Sequence, residues 1–149
     1  DSSDIKKNLL NKFSKENVNL ENIILLDRFE NQKDHLNCYN KFHLTLDTFP
    51  YPGVTTSFES LIMGKPVLTM KGNNFNSRCG ESINLNLNLN EFIAENEEDY
   101  INKAIIYANE PQKLKILSTN LREQVLSSPL FDTQTFANEL NSIFLNIIK

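Results

Sequence analysis

Two adjacent threonines, Thr55 and Thr56, follow a backbone-breaking run of Pro50, Tyr51, Pro52 and Gly53, and a carboxylate, Glu59, stands one helical turn further on. Hydroxyls in the first turn of a helix behind a sharp loop suit a phosphate, because the free N–H groups and the helix dipole at that end favour an anion. The same pair also reads as a plain helix cap, a common task for threonine. Glu59 taken alone reads as a solvated helix carboxylate. Asp47, at the end of an apolar run, either caps the following turn or serves as a base. Lys65 and Lys71 are available as phosphate counterions. His35 and His43 read as surface or packing residues, with His43 structural because it borders a strand. Cys38 and Cys79 lack any CxxC spacing and read as reduced, buried thiols of a cytosolic protein, and no metal-ligand spacing is present.

Positioning such residues requires a strand, a loop, a helix and a second strand, and residues 44–70 supply that pattern. Leu44 and Leu46 suit a buried parallel strand, Phe58, Leu61 and Ile62 recur at helical spacing, and Thr55 or Thr56 starts the helix. Gly64 stands where a left-handed cap residue belongs, and Pro66 opens the strand of Val67 and Leu68. In a parallel sheet ligands bind at the carboxyl edge, where this helix N-terminus points.

The rest of the chain extends the pattern. Ser2 or Ser3 caps a helix to about Phe13, strands are expected at about 23–27, 43–47 and 66–69, and a short helix surrounds residues 35–40. Leu85, Leu87 and Leu89 read as a helix end and a turn, with a short strand near Phe92 and Ile93. Asn96 caps a helix whose buried side is expected to be Ile101, Ala104, Ile105 and Ala108. Another helix covers about 111–125, and Asp132 caps a last one carrying Phe136, Leu140, Ile143, Phe144 and Ile147. This helical tail is expected to pack back across the sheet or onto a second domain. The fold class is therefore α/β, a Rossmann-like, doubly wound parallel sheet with C-terminal helices.

Composition narrows the function. A chain of 149 residues is one domain by length. With 15 basic against 19 acidic residues the formal charge is −4, which argues against a nucleic-acid partner. No apolar run approaches the ~18 residues of a membrane span. The chain begins with Asp and opens on a helix, so the first strands of its sheet are expected upstream.

The segment LDTFPYPGVTTSFESLIMGKPVLTM, the following NSR and the later SSPLFDT resemble the C-terminal catalytic half of the O-GlcNAc transferase and SPINDLY family of protein glycosyltransferases. The likeness runs from about Ile23 to the final helix. It implies a glycosyltransferase-B architecture of two Rossmann-like domains, with residues 1–149 forming part of the C-terminal, donor-binding one. The acceptor-binding half lies upstream, and this chain alone is expected to transfer no sugar. The implied reaction moves a sugar from a nucleotide diphosphate (UDP or GDP) to Ser or Thr of a cytoplasmic protein, without a metal or other cofactor. Thr55 and Thr56 match the threonines that hold the donor diphosphate, Glu59 the acidic residue at the ribose hydroxyls, and His35 a histidine beside the base. Val54 stands where the GlcNAc enzymes carry His, and Gln32 where their base-contacting lysine is expected. LDTFPY with GxTTxxES is closer to the SPINDLY branch, whose plant members use GDP-fucose, so the donor sugar stays open between GlcNAc and a fucose-like one. Two other readings keep the same pocket: a sugar-nucleotide epimerase, for which Asp47 is the strand-end acid, and a non-catalytic nucleotide-binding module.

Overall fold

A computed structural model describes residues 2–148, and the chain divides into two units, Asp1–His35 and Leu36–Lys149. In the first, α1 (Ser2–Lys15) carries Lys12 and Lys15 in its last turn, against the negative end of its dipole. Asn17 ends it in the left-handed region (φ 58°), and the Val18 amide returns to the Phe13 carbonyl at 3.0 Å. A 3-10 turn over Leu20–Asn22 follows, and an ion pair joins Lys6 of α1 to Asp27. The strand expected at about 23–27 does not form. Ile23 is extended, and Ile23 and Leu25 are more covered than Ile24 and Leu26, as in a half-buried strand. A strand also needs a ladder partner for its backbone, and among the described residues these have none. Asn31 caps α2 (Gln32–Cys38): its side chain accepts the Asp34 amide at 2.9 Å.

The second unit holds a parallel sheet in the order β1 (Thr45–Leu46), β2 (Val67–Met70), β3 (Ile93–Ala94), with Thr45 opposite Val67 and Thr69 opposite Ile93. The crossovers are α3 (Val54–Ile62) and α4 (Cys79–Asn86), and α5 (Glu97–Asn109), α6 (Pro111–Leu126) and α7 (Thr133–Ile147) follow. The result is a helix-rich α/β unit around a small parallel sheet. Its core joins Leu61, Val67, Ile83, Leu87, Phe92, Tyr107, Leu114, Leu121 and Val125. Buried Asn84 donates to the carbonyls of Val67 (2.9 Å) and Phe92 (3.2 Å), so α4 ties together the segments of β2 and β3. As expected, the Leu-Asn run is a helix end and a turn, with Leu87 and Leu89 buried and Asn88 at φ 55°.

Two helices depart from expectation. On α5, Ile101 and Ile105 are about half exposed, while Tyr107 is buried. A tyrosine buries a large ring and still satisfies its hydroxyl at the edge of a core, which an isoleucine cannot do. Tyr107 stacks on Phe92 at 4.5 Å and reaches the Glu91 carbonyl, and Tyr100 donates to the Asp47 carbonyl at 2.8 Å. Burial pushes both phenols up to about 12. On α7, Asp132 caps as expected, accepting the Thr135 amide at 3.0 Å, but Phe136, Leu140, Ile143, Phe144 and Ile147 are all exposed. Of the three closing helices α5 packs on β2 and β3 and α6 on α3, as a tail folding back on the sheet would, whereas α7 leaves this apolar face uncovered. The 3-10 turn Pro129–Phe131 before it does pack on the core, with Phe131 meeting Phe58 edge to face at 6.0 Å.

Gly64 closes α3 at φ +74°, with the Lys65 amide bonded to the Ser60 carbonyl at 2.8 Å. A Cβ there would sit 3.0 Å from the Ser118 carbonyl of α6, whose hydroxyl donates back to the Gly64 carbonyl at 2.5 Å. The left-handed conformation alone makes Gly64→Ala cost about 1–2 kcal/mol in chemical denaturation. A loss below half a kcal/mol would mean that the α3–α6 junction yields freely.

Candidate functional site

The site starts at the residue after β1. One carboxylate oxygen of Asp47, Oδ1, accepts the amides of Gly53 (2.8 Å) and Thr48 (3.1 Å); the other, Oδ2, accepts the Thr69 hydroxyl (2.9 Å). Asp47 therefore caps the turn, and in doing so fixes the end of the loop from which α3 begins. Thr48 tightens the same loop by donating its hydroxyl to the Tyr51 carbonyl at 2.5 Å. Gly80 comes so close that a Cβ would fall 2.7 Å from Oδ2 of Asp47 and 2.2 Å from the Thr69 hydroxyl oxygen. The network thus joins the ends of β1 and β2 to the first residues of α3 and α4.

Gly53, not a threonine, is the N-cap of α3, and Val54 precedes the pair inside the helix. The Gly53 carbonyl accepts the Ser57 amide at 2.6 Å, the Ser57 hydroxyl at 2.7 Å and the Thr56 hydroxyl at 2.8 Å. A Cβ on Gly53 would lie 2.2 Å from the Thr56 hydroxyl oxygen, so Thr56 would have to give up its place there. Thr55 and Thr56 are both exposed, at the carboxyl edge of the sheet. The cap reading of the pair is thereby displaced: Thr56 bonds a carbonyl of its own turn. The hydroxyl of Thr55 and the amides of Val54, Thr55 and Thr56 face outward with no acceptor among the described residues. Such a group of donors at a helix N-terminus is an anion site in chemical terms.

Glu59 lies one turn along the same helix, half-buried, and its Oε2 accepts the Tyr39 hydroxyl at 3.1 Å. Tyr39 is buried, with its ring tilted against Phe42 at 5.5 Å, and its hydroxyl lies 3.5 Å from the Thr56 carbonyl. Burial, reinforced by the Glu59 carboxylate, raises this phenol well above its ordinary value, so it remains a donor at any ordinary pH. Sequence reasoning missed Tyr39, and no local pattern would have found it, because the contact spans twenty residues. His35 belongs to the first unit. Its ring meets Phe29 edge to face at 5.8 Å, and with Gln32, Asp27 and Arg28 it lines an open pocket of about 590 Å³. Gln32 and His35, paired in the sequence reading, thus share one pocket.

The remaining candidates divide by position. Lys65 and His43 precede β2 and β1 and border a depression of about 290 Å³, at the opposite sheet edge from the threonines. Lys71 follows β2 but is paired with Glu95. Arg78, in the NSR stretch, grips buried Glu81 with both Nε (2.7 Å) and a terminal nitrogen (3.1 Å), which stabilises its charged form. Beside it an apolar groove of about 410 Å³ runs between Val54, Phe58, Phe75 and Ile83. Cys38 and Cys79 are free thiols but only partly buried, because each sits at a helix end rather than inside the core. Among the described residues no His, Cys, Asp or Glu cluster suited to a metal occurs, and no helix is long and apolar enough to cross a membrane.

The chain is similar to known proteins along most of its length. The tomato (Solanum lycopersicum) SPINDLY protein, named a probable UDP-N-acetylglucosamine–peptide N-acetylglucosaminyltransferase, is 38% identical over 127 residues, which is 85% of this chain and 13% of that protein. Its Arabidopsis thaliana counterpart is 35% identical over 116 residues, 78% of this chain and 13% of the relative. A solved structure of a mutant Thermobaculum terrenum O-GlcNAc transferase superposes with a TM-score of 0.84 at 31% identity, covering 93% of this chain and 26% of that one. The chain thus spans a small part of the length of these relatives. The model of glycosyl transferase family 41 matches residues 4–140. With nearly all of its length matched, the chain belongs to glycosyl transferase family 41.

Proposed function

We propose that this chain is the donor-binding part of a protein O-glycosyltransferase that takes a sugar, GlcNAc or fucose-like, from UDP or GDP and places it on Ser or Thr of a protein. The observation that carries this reading is the outward group of donors at the start of α3, three amides and the Thr55 hydroxyl, with Glu59 one turn behind it. The amides and hydroxyls take the diphosphate, and Glu59 takes the ribose, far enough along the helix to limit repulsion between the two anions. His35 stands beside the base.

The chemistry is an inverting displacement. The acceptor hydroxyl attacks the anomeric carbon and loses its proton to solvent, the bond from that carbon to the diphosphate oxygen breaks, and the electron pair leaves with the diphosphate. Donors aimed at that oxygen before the reaction begins need no reorganisation as charge builds there, and the reading calls for no metal. In this reading the acceptor-binding half, which forms the opposite wall of the cleft, and further strands of a doubly wound glycosyltransferase-B domain belong to upstream sequence, in a cytoplasmic protein. An epimerase would need a strand-end acid free to exchange protons; both oxygens of Asp47 are engaged by the loop and Thr69, which favours the transferase.

Calorimetric titration of the full-length protein with UDP, GDP and ADP tests the reading. Saturable one-to-one binding of UDP or GDP, in preference to ADP, is the expected result. Binding of none of the three would remove the donor site.

A further inference from the structure

We infer that Arg78 is a further binding residue for the donor diphosphate, its guanidinium taking the phosphate that carries the sugar, on the side of the α3 tip away from Glu59. The inference rests on the donor-site reading given above and adds to it a full positive charge, which the amides and the Thr55 hydroxyl do not supply.

The donors at the start of α3 are neutral groups at the positive end of a dipole, and they face an anion whose charge rises as the sugar departs. Of the lysines weighed for that role, Lys65 lies at the opposite sheet edge and Lys71 is paired with Glu95. Arg78 is better placed. It directly precedes α4, and two residues on, Gly80 packs so close to Asp47 that a Cβ would fall 2.7 Å from Oδ2, while Oδ1 of the same carboxylate holds the Gly53 amide at 2.8 Å. The starts of α3 and α4 are thus fixed against one side chain, and Arg78 lines the same groove as Val54, the first residue of α3.

Helix geometry sets the side. Val54 and Phe58, four residues apart, share the face of α3 that borders the groove, whereas Glu59 stands about 140° round the helix from Val54 at about 3.6 residues per turn. A diphosphate seated on the tip with its nucleoside toward Glu59 therefore turns its sugar-bearing end toward the groove and Arg78. The guanidinium is held in one orientation. Nε donates to Oε2 of Glu81 at 2.7 Å and Nη2 to Oε1 at 3.1 Å, so one edge of the plane is locked on a buried carboxylate. The other three N–H groups, two on Nη1 and the second on Nη2, have no acceptor among the described residues. Nη1 and Nη2 together form a fork that matches two oxygens of one phosphate. The pair with Glu81 is a poor device for stability alone, because taking a carboxylate out of water offsets much of the attraction. It orders the guanidinium before a ligand arrives, which lowers the entropy lost on binding.

The test titrates UDP, UMP, GDP and GMP by calorimetry against the full-length wild-type protein, Arg78→Lys, and the double variant Arg78→Met with Glu81→Met. The double variant removes both charges at similar volume, an exchange that is often neutral for stability, whereas Arg78→Met alone would strand a buried carboxylate. Arg78→Lys keeps the ion pair and loses the fork. Fitted stoichiometry counts only folded sites, so the ratio of affinities survives partial unfolding. The wild type is expected to prefer the diphosphate over the monophosphate by about tenfold or more. The double variant should reduce that preference about tenfold, and Arg78→Lys about threefold, with monophosphate affinity unchanged. An intact preference in both variants, whatever their melting temperatures, would make Arg78 a partner of Glu81 alone and overturn the inference. Equal weakening of mono- and diphosphate would overturn it too, and either result leaves the donor-site reading standing. If the double variant does not fold, Arg78→Lys decides alone. A wild type that binds nucleotides without distinguishing diphosphate from monophosphate would remove the sugar-bearing phosphate from this tip and Arg78 with it. A wild type that binds no nucleotide would bring down both readings.

Discussion

Replacing Thr55 and Thr56 together by Val in the full-length protein is expected to lower turnover by about tenfold to a thousandfold, at roughly 1.5–3 kcal/mol for a hydrogen bond to a charged group with partial rescue by water. The effect should appear in turnover more than in donor affinity, because the charge on the diphosphate rises as the sugar departs. Stability should hold. Gly53 is the cap, and its carbonyl keeps the Ser57 amide and hydroxyl when the Thr56 hydroxyl is gone, so the helix loses one redundant bond. The single variants should differ. The proton of Thr56 is committed to Gly53, whereas Thr55 is exposed with its hydroxyl outward, so Thr55→Val should account for the larger share. Melting temperature and active-site titration read the two contributions separately. A double variant that melts early and keeps its turnover per active site would give the threonines a purely structural role.

Asp47→Ala is the second large effect, and it should fall on stability first. Removing the carboxylate leaves the Gly53 amide and the Thr69 hydroxyl without their acceptor in a region where water enters poorly, Thr69 being 2% exposed. Buried groups stranded in this way cost about 1–3 kcal/mol each, and the exposed Thr48 amide rehydrates, so a loss of about 2–4 kcal/mol is expected in denaturant unfolding. Nucleotide affinity should drop as well, since the Gly53 amide bond fixes where α3 begins. Asp47→Asn, which keeps one carbonyl oxygen for Gly53 and offers N–H to the Thr69 oxygen, should recover about half of the stability. An Asp47→Ala protein within about 1 kcal/mol of wild type would mean that the loop is held by other contacts.

The parts of this structure legible in the sequence are those written in local chemistry. Gly64 demanded a left-handed residue, Asn96 and Asp132 were followed by the acidic or polar turn that a cap expects, and each element ends where those residues stand. Illegible were the features decided at a distance. The alternation at Ile23–Leu26 is real in its burial, but whether a strand forms depends on a neighbour that alternation does not name. The face of α5 was misread because hydropathy ranks isoleucine above tyrosine, while Tyr100 and Tyr107 gain a ring's worth of burial and a carbonyl each. The cap of α3 was placed on threonine rather than Gly53 because side-chain preference was weighed and the crowding above Gly53 could not be seen. Tyr39 depended on the same long-range folding.

The clamp on Gly64 has a mechanical meaning. A helix of nine residues is about 13–14 Å long at 1.5 Å per residue and too short to bend appreciably, so it moves as a rod. One end of this rod is pinned by Asp47 through Gly53. The other is pinned by α6, where Ser118 grips the Gly64 carbonyl and Arg122 the Ile62 carbonyl at 2.8 Å. A rod fixed at both ends has no pitch or yaw left. The donor hydroxyls at its tip therefore inherit their aim from a helix that never approaches them, and α6 serves as the rear sight of the site rather than as its wrapping.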